Sequence, residues 1–319
     1  MRPLDGLEPP RIGVAVSRDR QFAYIVVQLE CLRSKLTAAP TASMVLLGPR
    51  RTPRTARPAS SRPVLTITTT ITSVQVRPYM RLPRVHGLIK RRLLVNFRLP
   101  PAVVQRHLPQ PFVPKLHDGH AIAGICLIRL EAIRPKRFPR ILGLASENAA
   151  HRIAVTWEDS HGLHEGVYIP RRDTDSMVSH LAGGRLFPGE HQRARFRVVD
   201  DGEHVDLQMR SADGLVEVTI VGRTVAALPP TSCFRSLPEA SEFFEPGCVG
   251  YSATASGARL DGIVLRTHGW SVEPLAVDKA YSSYFANEHL FPEGSATFDC
   301  ALVMRNIPHE WHSAADMYV

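Results

Sequence analysis

Between residues 137 and 278 the chain contains no lysine, and after Met80 the only lysines are Lys90, Lys115, Lys136 and Lys279. That long interval therefore offers no amine able to form an imine with a carbonyl substrate. Cysteine is scarce and scattered: Cys31, Cys126, Cys233, Cys248 and Cys300 form no CxxC pair and have no zinc-like spacing to histidine, which excludes a disulfide framework and points to free thiols in a reducing compartment. No apolar run reaches the roughly 18 residues of a membrane span, so no membrane partner is expected. Asp5 and Glu8 stand where a secretory signal carries positive charge, and Arg18 and Arg20 interrupt any apolar segment behind it, so the expected location is the cytoplasm. A glycine-rich phosphate loop is also missing.

What is present suits a folded domain. Hydrophobic residues make up 44% of the 319 positions and charged residues 22%, enough apolar side chain for a sizeable core. The net charge of +9 would suggest nucleic acid, but its distribution argues against that partner. Residues 1–79 hold 12 Lys+Arg against 4 Asp+Glu, leaving 27 against 26 over the rest. The same 79 residues are rich in Pro, Arg, Ser and Thr, a mixture that cannot bury enough apolar surface to offset its ordering entropy. We read them as a mostly disordered basic extension added by an upstream start codon, with residues 80–319 as the single folded domain.

From Ile89 onward, short apolar alternations are broken by Gly, Pro and Asp, the pattern of a β-rich domain. Strands are expected over Leu93–Arg98, Ala121–Ala132, Arg152–Glu158, Gly166–Pro170, Ala194–Val199, His204–Arg210, Val216–Val225, Gly262–Val272 and Ala296–Met304. Helices are expected from Pro100 to about His107, over Asp175–Ala182, and over Leu237–Phe244, where Ser236 and Glu239 form a capping box. The fold class is α+β, mainly antiparallel sheet with a few short helices.

Three stretches carry polar residues that a plain sheet does not require. In Ser146-Glu147-Asn148-Ala149-Ala150-His151-Arg152, a carboxylate, an amide and a guanidinium enter one strand; they either line a pocket, with Arg152 gripping a carboxylate, or form a solvated strand edge. After the apolar strand to Pro170, Arg171-Arg172-Asp173-Thr174-Asp175 reads as a charged turn. Asp173 or Asp175 would cap the next helix there, while Arg171 and Arg172 either project into a cavity or pair with those aspartates. The third, Gly183-Gly184-Arg185-Leu-Phe-Pro188-Gly189-Glu190-His191, holds Arg185 between two turns and presents a Glu beside a His, a pair suited to acid–base work or to a plain polar strand entry. His161-Gly-Leu-His164-Glu165 and His309-Glu310-Trp311-His312 lack the HExxH or HxxEH order, so no metal is expected, and no cofactor either. Gly250-Tyr251-Ser252-Ala253 lacks the second glycine of a nucleophile elbow.

These stretches in this order, with Phe97-Arg98-Leu99-Pro100-Pro101 before them and Phe298–Arg305 after, resemble the YqjF-like domain-of-unknown-function family, DUF2071, placed in the acetoacetate decarboxylase-like superfamily. The resemblance implies an antiparallel β-barrel or cone with a central cavity for a small molecule. In the decarboxylase a Gly-Arg segment is followed by two adjacent lysines, one of which forms a Schiff base. Laid on this chain that pair falls near Glu190 and His191, so the resemblance implies the fold without the Schiff-base chemistry. Glu147 resembles the decarboxylase carboxylate after the corresponding strand, and Lys90 or Arg91 falls near its substrate-binding arginine. The resulting expectation is a cavity for a small organic acid. Glu147 and His191 would be acid and base, and Arg152, Asn148, Arg171, Arg185 and Glu190 would bind the ligand. The alternative is a sensor or structural module with a vestigial pocket.

Overall fold

The computed structural model describes residues 85–135, 143–182, 189–255 and 257–318. The extension over 1–79, the start at Met80, Lys136 and Arg185 lie outside them. In chain order the elements are β1 (Val85–Leu99), α1 (Pro101–Gln105), β2 (Val113–Pro114), β3 (Leu116–His117), β4 (His120–Pro135), β5 (Leu144–Asp159), β6 (Gly162–Thr174), α2 (Met177–Ala182), β7 (His191–Asp200), β8 (His204–Ser211), β9 (Glu217–Thr224), α3 (Leu237–Phe244), β10 (Val249–Ala253), β11 (Arg259–Thr267), β12 (Glu273–Ser282), β13 (Thr297–Ser313) and β14 (Met317–Tyr318). The α+β, strand-dominated class is as expected. Strands β10 and β12 carry no clean alternation and were not anticipated, and the segment 171–174 continues β6 instead of turning.

The strands form one sheet in the order β14-β11-β10-β6-β7-β8-β9-β12-β13-β1-β4-β5-β2, antiparallel except where β6 meets β7 and β10. Two further pairings, β5 with β6 and β11 with β13, close that order on itself. The result is two rings sharing β13, β1, β4, β5 and β6, one completed by β10 and β11, the other by β7, β8, β9 and β12. Long strands make this possible. One stretch of β13 pairs with β12 through Ala301–Val303, and another pairs with β11 through His309–Ser313.

The shared strands are consequently buried on both faces. On β1, Leu93, Val95, Phe97 and Leu99 join one apolar cluster with Ile125, Leu127, Leu207, Ile220 and Val303. Leu94 faces the other way, into a cluster with Ile122, Ile128, Leu302 and the aromatic group Phe234, Phe243 and Phe244 of α3 and the loop before it. Small residues let β1 and β4 approach closely: a Cβ at Gly124 would stand 2.2 Å from the Val95 carbonyl oxygen.

Helix α3 begins where its cap was read. Ser236 Oγ accepts from Glu239 N at 3.3 Å, but the reciprocal bond is displaced by one residue, Glu239 taking the Arg235 N–H at 2.7 Å. The buried Asp299 ties the approach to α3 onto β13, accepting from Ser232 Oγ, Cys233 N and Arg98 Nη1.

His151 on β5 is fully buried, sharing a 3.0 Å hydrogen bond with Ser282 Oγ and lying 4.6 Å from the Tyr284 ring. Burial, with the Arg171 charge adding to it, holds its pKa down from 6.5 to about 3. The unfolded chain therefore takes up this proton first as pH falls. Stability from this group is complete above about pH 6.5 and declines toward pH 3, at up to about 1.4 kcal/mol per pH unit. His151→Phe, which keeps the ring packing, should flatten the fall in urea-unfolding free energy between pH 6.5 and 5. An unchanged slope would show that His151 contributes none of it.

Candidate functional site

Side chains alternate along a strand, so the parity of a residue on β5 decides which cluster it joins. Odd positions face the first cluster and even positions the second. Glu147 lies opposite Arg129, which pairs with Arg91, which in turn pairs with Arg305: a row of charged residues across β5, β4, β1 and β13 on the odd face. Within that row Arg91 Nη2 donates to Glu147 Oε2 at 2.7 Å, and Asp200 on β7 accepts from Arg305 at 2.8 Å and from Arg91 at 3.4 Å. Burial pushes the Glu147 carboxyl up while Arg91 pulls it back.

The even positions Ser146, Asn148, Ala150 and Arg152 line a cavity of about 160 Å³ inside the ring completed by β10 and β11. Its basic wall is made by Arg92 on β1, Arg152 on β5 and Arg172 on β6, with His191 at the start of β7 beside Arg172. Its apolar wall includes Ile128, Leu130, Ile169, Ile263, Leu265 and Trp311.

Arg152 is 4% exposed. One of its guanidinium nitrogens donates to Asn96 Oδ1, the group lies 5.2 Å from the Phe244 ring, and Nε has no hydrogen-bond partner. Arg172 donates from Nε to Ser252 Oγ at 3.0 Å, and its buried Nη2 has no partner. Burial draws both guanidinium groups down to about 10, which leaves them charged at neutral pH. Asn148 is held by Thr174, whose hydroxyl donates to Oδ1 at 2.8 Å, while its amide donates to Ser146 Oγ at 2.9 Å. Burial and the Arg172 charge hold His191 down to about 3, so its imidazole is neutral at physiological pH.

The structure thus brings Arg152, Asn148 and His191 together in this cavity and places the other expected residues elsewhere. Glu147 points to the opposite face and is engaged with Arg91, so it does not meet His191. Arg171 pairs instead with Asp173 at 2.7 Å and Asp213 at 2.9 Å, while its neighbour Arg172 reaches the cavity. The cause is a bulge: His151 pairs with Arg171 but Ile153 with Tyr168, so β6 changes parity between Ile169, which faces the cavity, and Arg172, which also does. Glu190 is exposed and lines a second cleft of about 160 Å³ together with Arg171, Arg172 and Ser252. Neither expected aspartate caps α2: Asp173 pairs with Arg171, Asp175 Oδ1 accepts from Glu147 N at 2.9 Å, and Ser176 Oγ accepts from Ser179 N at 3.2 Å. Arg185 lies outside the described residues.

Sequence reasoning missed Arg92 and Cys126. Continuing the β1 alternation from Leu94 would have placed Arg92 on the cavity side and Arg91 away from it. Among the described residues no lysine lines the cavity. Lys115, in an adjoining hollow, is bonded to Glu165 at 2.6 Å and to the Phe243 carbonyl.

Residues 89–287, more than half of the chain, match the model of DUF2071, described as an uncharacterized conserved protein. The chain belongs to this family. No curated protein matches it in sequence. Among solved structures it is similar to acetoacetate decarboxylase from Legionella pneumophila subsp. pneumophila str. Philadelphia 1, at 10% identity over 74% of this chain and 88% of that one with a TM-score of 0.47. It is also similar to an acetoacetate decarboxylase-like enzyme from Sphingomonas wittichii RW1, at 14% identity over 74% and 92% with a TM-score of 0.46. A third is the enduracididine biosynthesis enzyme MppR complexed with pyruvate, at 11% identity over 74% and 90% with a TM-score of 0.46.

Because Glu147 balances a buried guanidinium, its removal should act on stability. Glu147→Gln is expected to cost about 3 kcal/mol in urea unfolding, the lower end for breaking a buried ion pair because Asp200 stays beside Arg91. A loss below about 1 kcal/mol would mean that Asp200 alone suffices.

Proposed function

We propose that the protein binds a small organic carboxylate with an apolar body, holding the carboxylate between Arg152 and Arg172 and the body against Ile128, Ile263, Leu265 and Trp311. The observation that carries this reading is that Arg92, Arg152 and Arg172 all line the cavity and none has a carboxylate partner among the described ion pairs, in contrast to Arg91 and Arg305 on the other face. Burying such groups unpaired is costly, and an anion supplies what they lack. A neutral or cationic ligand would leave the cost in place.

The reading is one of binding without imine chemistry, since no described lysine faces the cavity. An acid–base role for Glu147 with His191 has no support, because the two lie on different faces of the sheet. A cytoplasmic location belongs to the same proposal, and the free thiols of Cys126, Cys233, Cys248 and Cys300 are compatible with a reducing compartment. None of the described helices is long and apolar enough to cross a membrane.

The test is thermal shift on the full chain with hexanoate, hexylamine and hexanol. Hexanoate should raise the melting temperature with concentration, as a ligand selective for the native state must. Arg172→Met, which keeps the apolar stem, should weaken hexanoate about tenfold or more, corresponding to about 1.4 kcal/mol or more. Equal shifts from acid and amine, or an unchanged affinity in the variant, would overturn the assignment.

A further inference from the structure

Cys126 occupies a position in the cavity wall that carboxylate binding alone does not explain. It lies on β4 between Leu94 of β1 and Ala150 of β5, buried at 8% exposure yet lining the cavity. Arg92 Nε lies 3.2 Å from its sulfur. A guanidinium has no acceptor, so this contact is an N–H donated to sulfur, and a thiolate accepts it better than a thiol. Ala150, the partner of Cys126 on β5, lines the same cavity. Arg152, nine-tenths buried with its Nε unpaired, lines the same space, and so does Arg172. A sulfur that accepts an N–H from Arg92 and two guanidinium groups able to anchor a carboxylate are thereby gathered in one partly apolar chamber.

We propose that Cys126 is a nucleophilic thiol that reacts with small carboxylates bearing a leaving group on the adjacent carbon. This rests on the carboxylate reading of the cavity and adds to it a covalent step. The thiol proton passes to solvent and the sulfur forms a bond to the carbon next to the carboxylate. The bond from that carbon to the leaving group breaks, and the leaving group departs with the electron pair. Arg152 and Arg172 hold the carboxylate while Arg92 supports the attacking sulfur. No oxidant, reductant or cofactor enters the balance.

Iodoacetate and its neutral counterpart iodoacetamide separate the two halves of the proposal. The full chain is treated with each reagent in parallel and every cysteine is followed by site-resolved mass spectrometry. At Cys126 the rate ratio of iodoacetate to iodoacetamide should exceed that at Cys233, which lies away from the cavity, by about tenfold, the factor given by about 1.4 kcal/mol of binding preference. Hexanoate should slow iodoacetate at Cys126, and Arg172→Met should bring the ratio down to that of Cys233. Arg92→Gln should slow both reagents at Cys126 while leaving their ratio high. If Cys126 reacts with neither reagent while hexanoate still raises the melting temperature, the nucleophile is overturned and the carboxylate site stands. If Cys126 reacts with both in the same ratio as Cys233, the thiol is reachable but no anion is directed to it, and the proposal fails with the carboxylate reading.

Discussion

The rest of the molecule depends on the burial of β1, β4 and β5 on both faces. In an ordinary half-buried sheet a polar residue on the wrong face meets water, whereas along the middle of these strands side chains must be satisfied inside the protein on whichever side their parity selects. The two rings make this unavoidable, because the closing strands β7, β8, β9 and β12 cover one side and β10 and β11 enclose the other. Charged residues on the shared strands are therefore either neutralised by a partner or reserved for a cavity.

Both outcomes occur side by side with the same residue type. Arg91 and Arg305 face the first cluster and are met by Glu147 and Asp200. Arg92 and Arg152, on the second face, have no carboxylate partner among the described ion pairs and make their contacts with a sulfur, an amide and an aromatic ring. A single residue step along β1 thus separates a guanidinium that secures the fold from one available to a ligand. Position along the strand, not side-chain chemistry, divides the structural arginines from the candidate binding ones.

This also explains how far the sequence could be read. The Leu237–Phe244 helix, the long β4 run and the hairpin at Ser211–Gly214 were legible because local chemistry decides them: a capping serine, a continuous apolar stretch, a turn with a glycine at positive φ. The polar stretches entering β5 and β6 were also visible as something more than sheet. Which members of each stretch face the cavity was not legible, because that depends on bulges. The register shift opposite His151 changes parity within β6 and moves the cavity role from Arg171 to Arg172, and another between Ile89 and Arg91 disturbs β1 next to Arg92. Such shifts are set by long-range pairing between strands and leave no signature in the composition of a short window. Strand β12 was missed for a related reason, since its burial pattern does not alternate and its pairing with β9 itself contains a shift.

The lysine-free interval acquires a more exact meaning from this geometry. His191, within the lysine-free interval, lines the cavity, but burial and the neighbouring Arg172 make it a weak base that carries no charge at neutral pH. Glu147, the other half of the expected acid–base pair, is committed to Arg91 on the far face. The cavity consequently has permanent positive charge from guanidinium groups, and its histidine stays neutral near pH 7. Imine chemistry needs an amine that loses its proton readily, and acid–base catalysis works best with a group poised near the working pH. Arginine satisfies neither requirement, but it holds an anion at any physiological pH. In the proposed reading, guanidinium as the dominant cation suits such a chamber to retaining a carboxylate, and the thiols of Cys126 and Cys248 stand in the same lining.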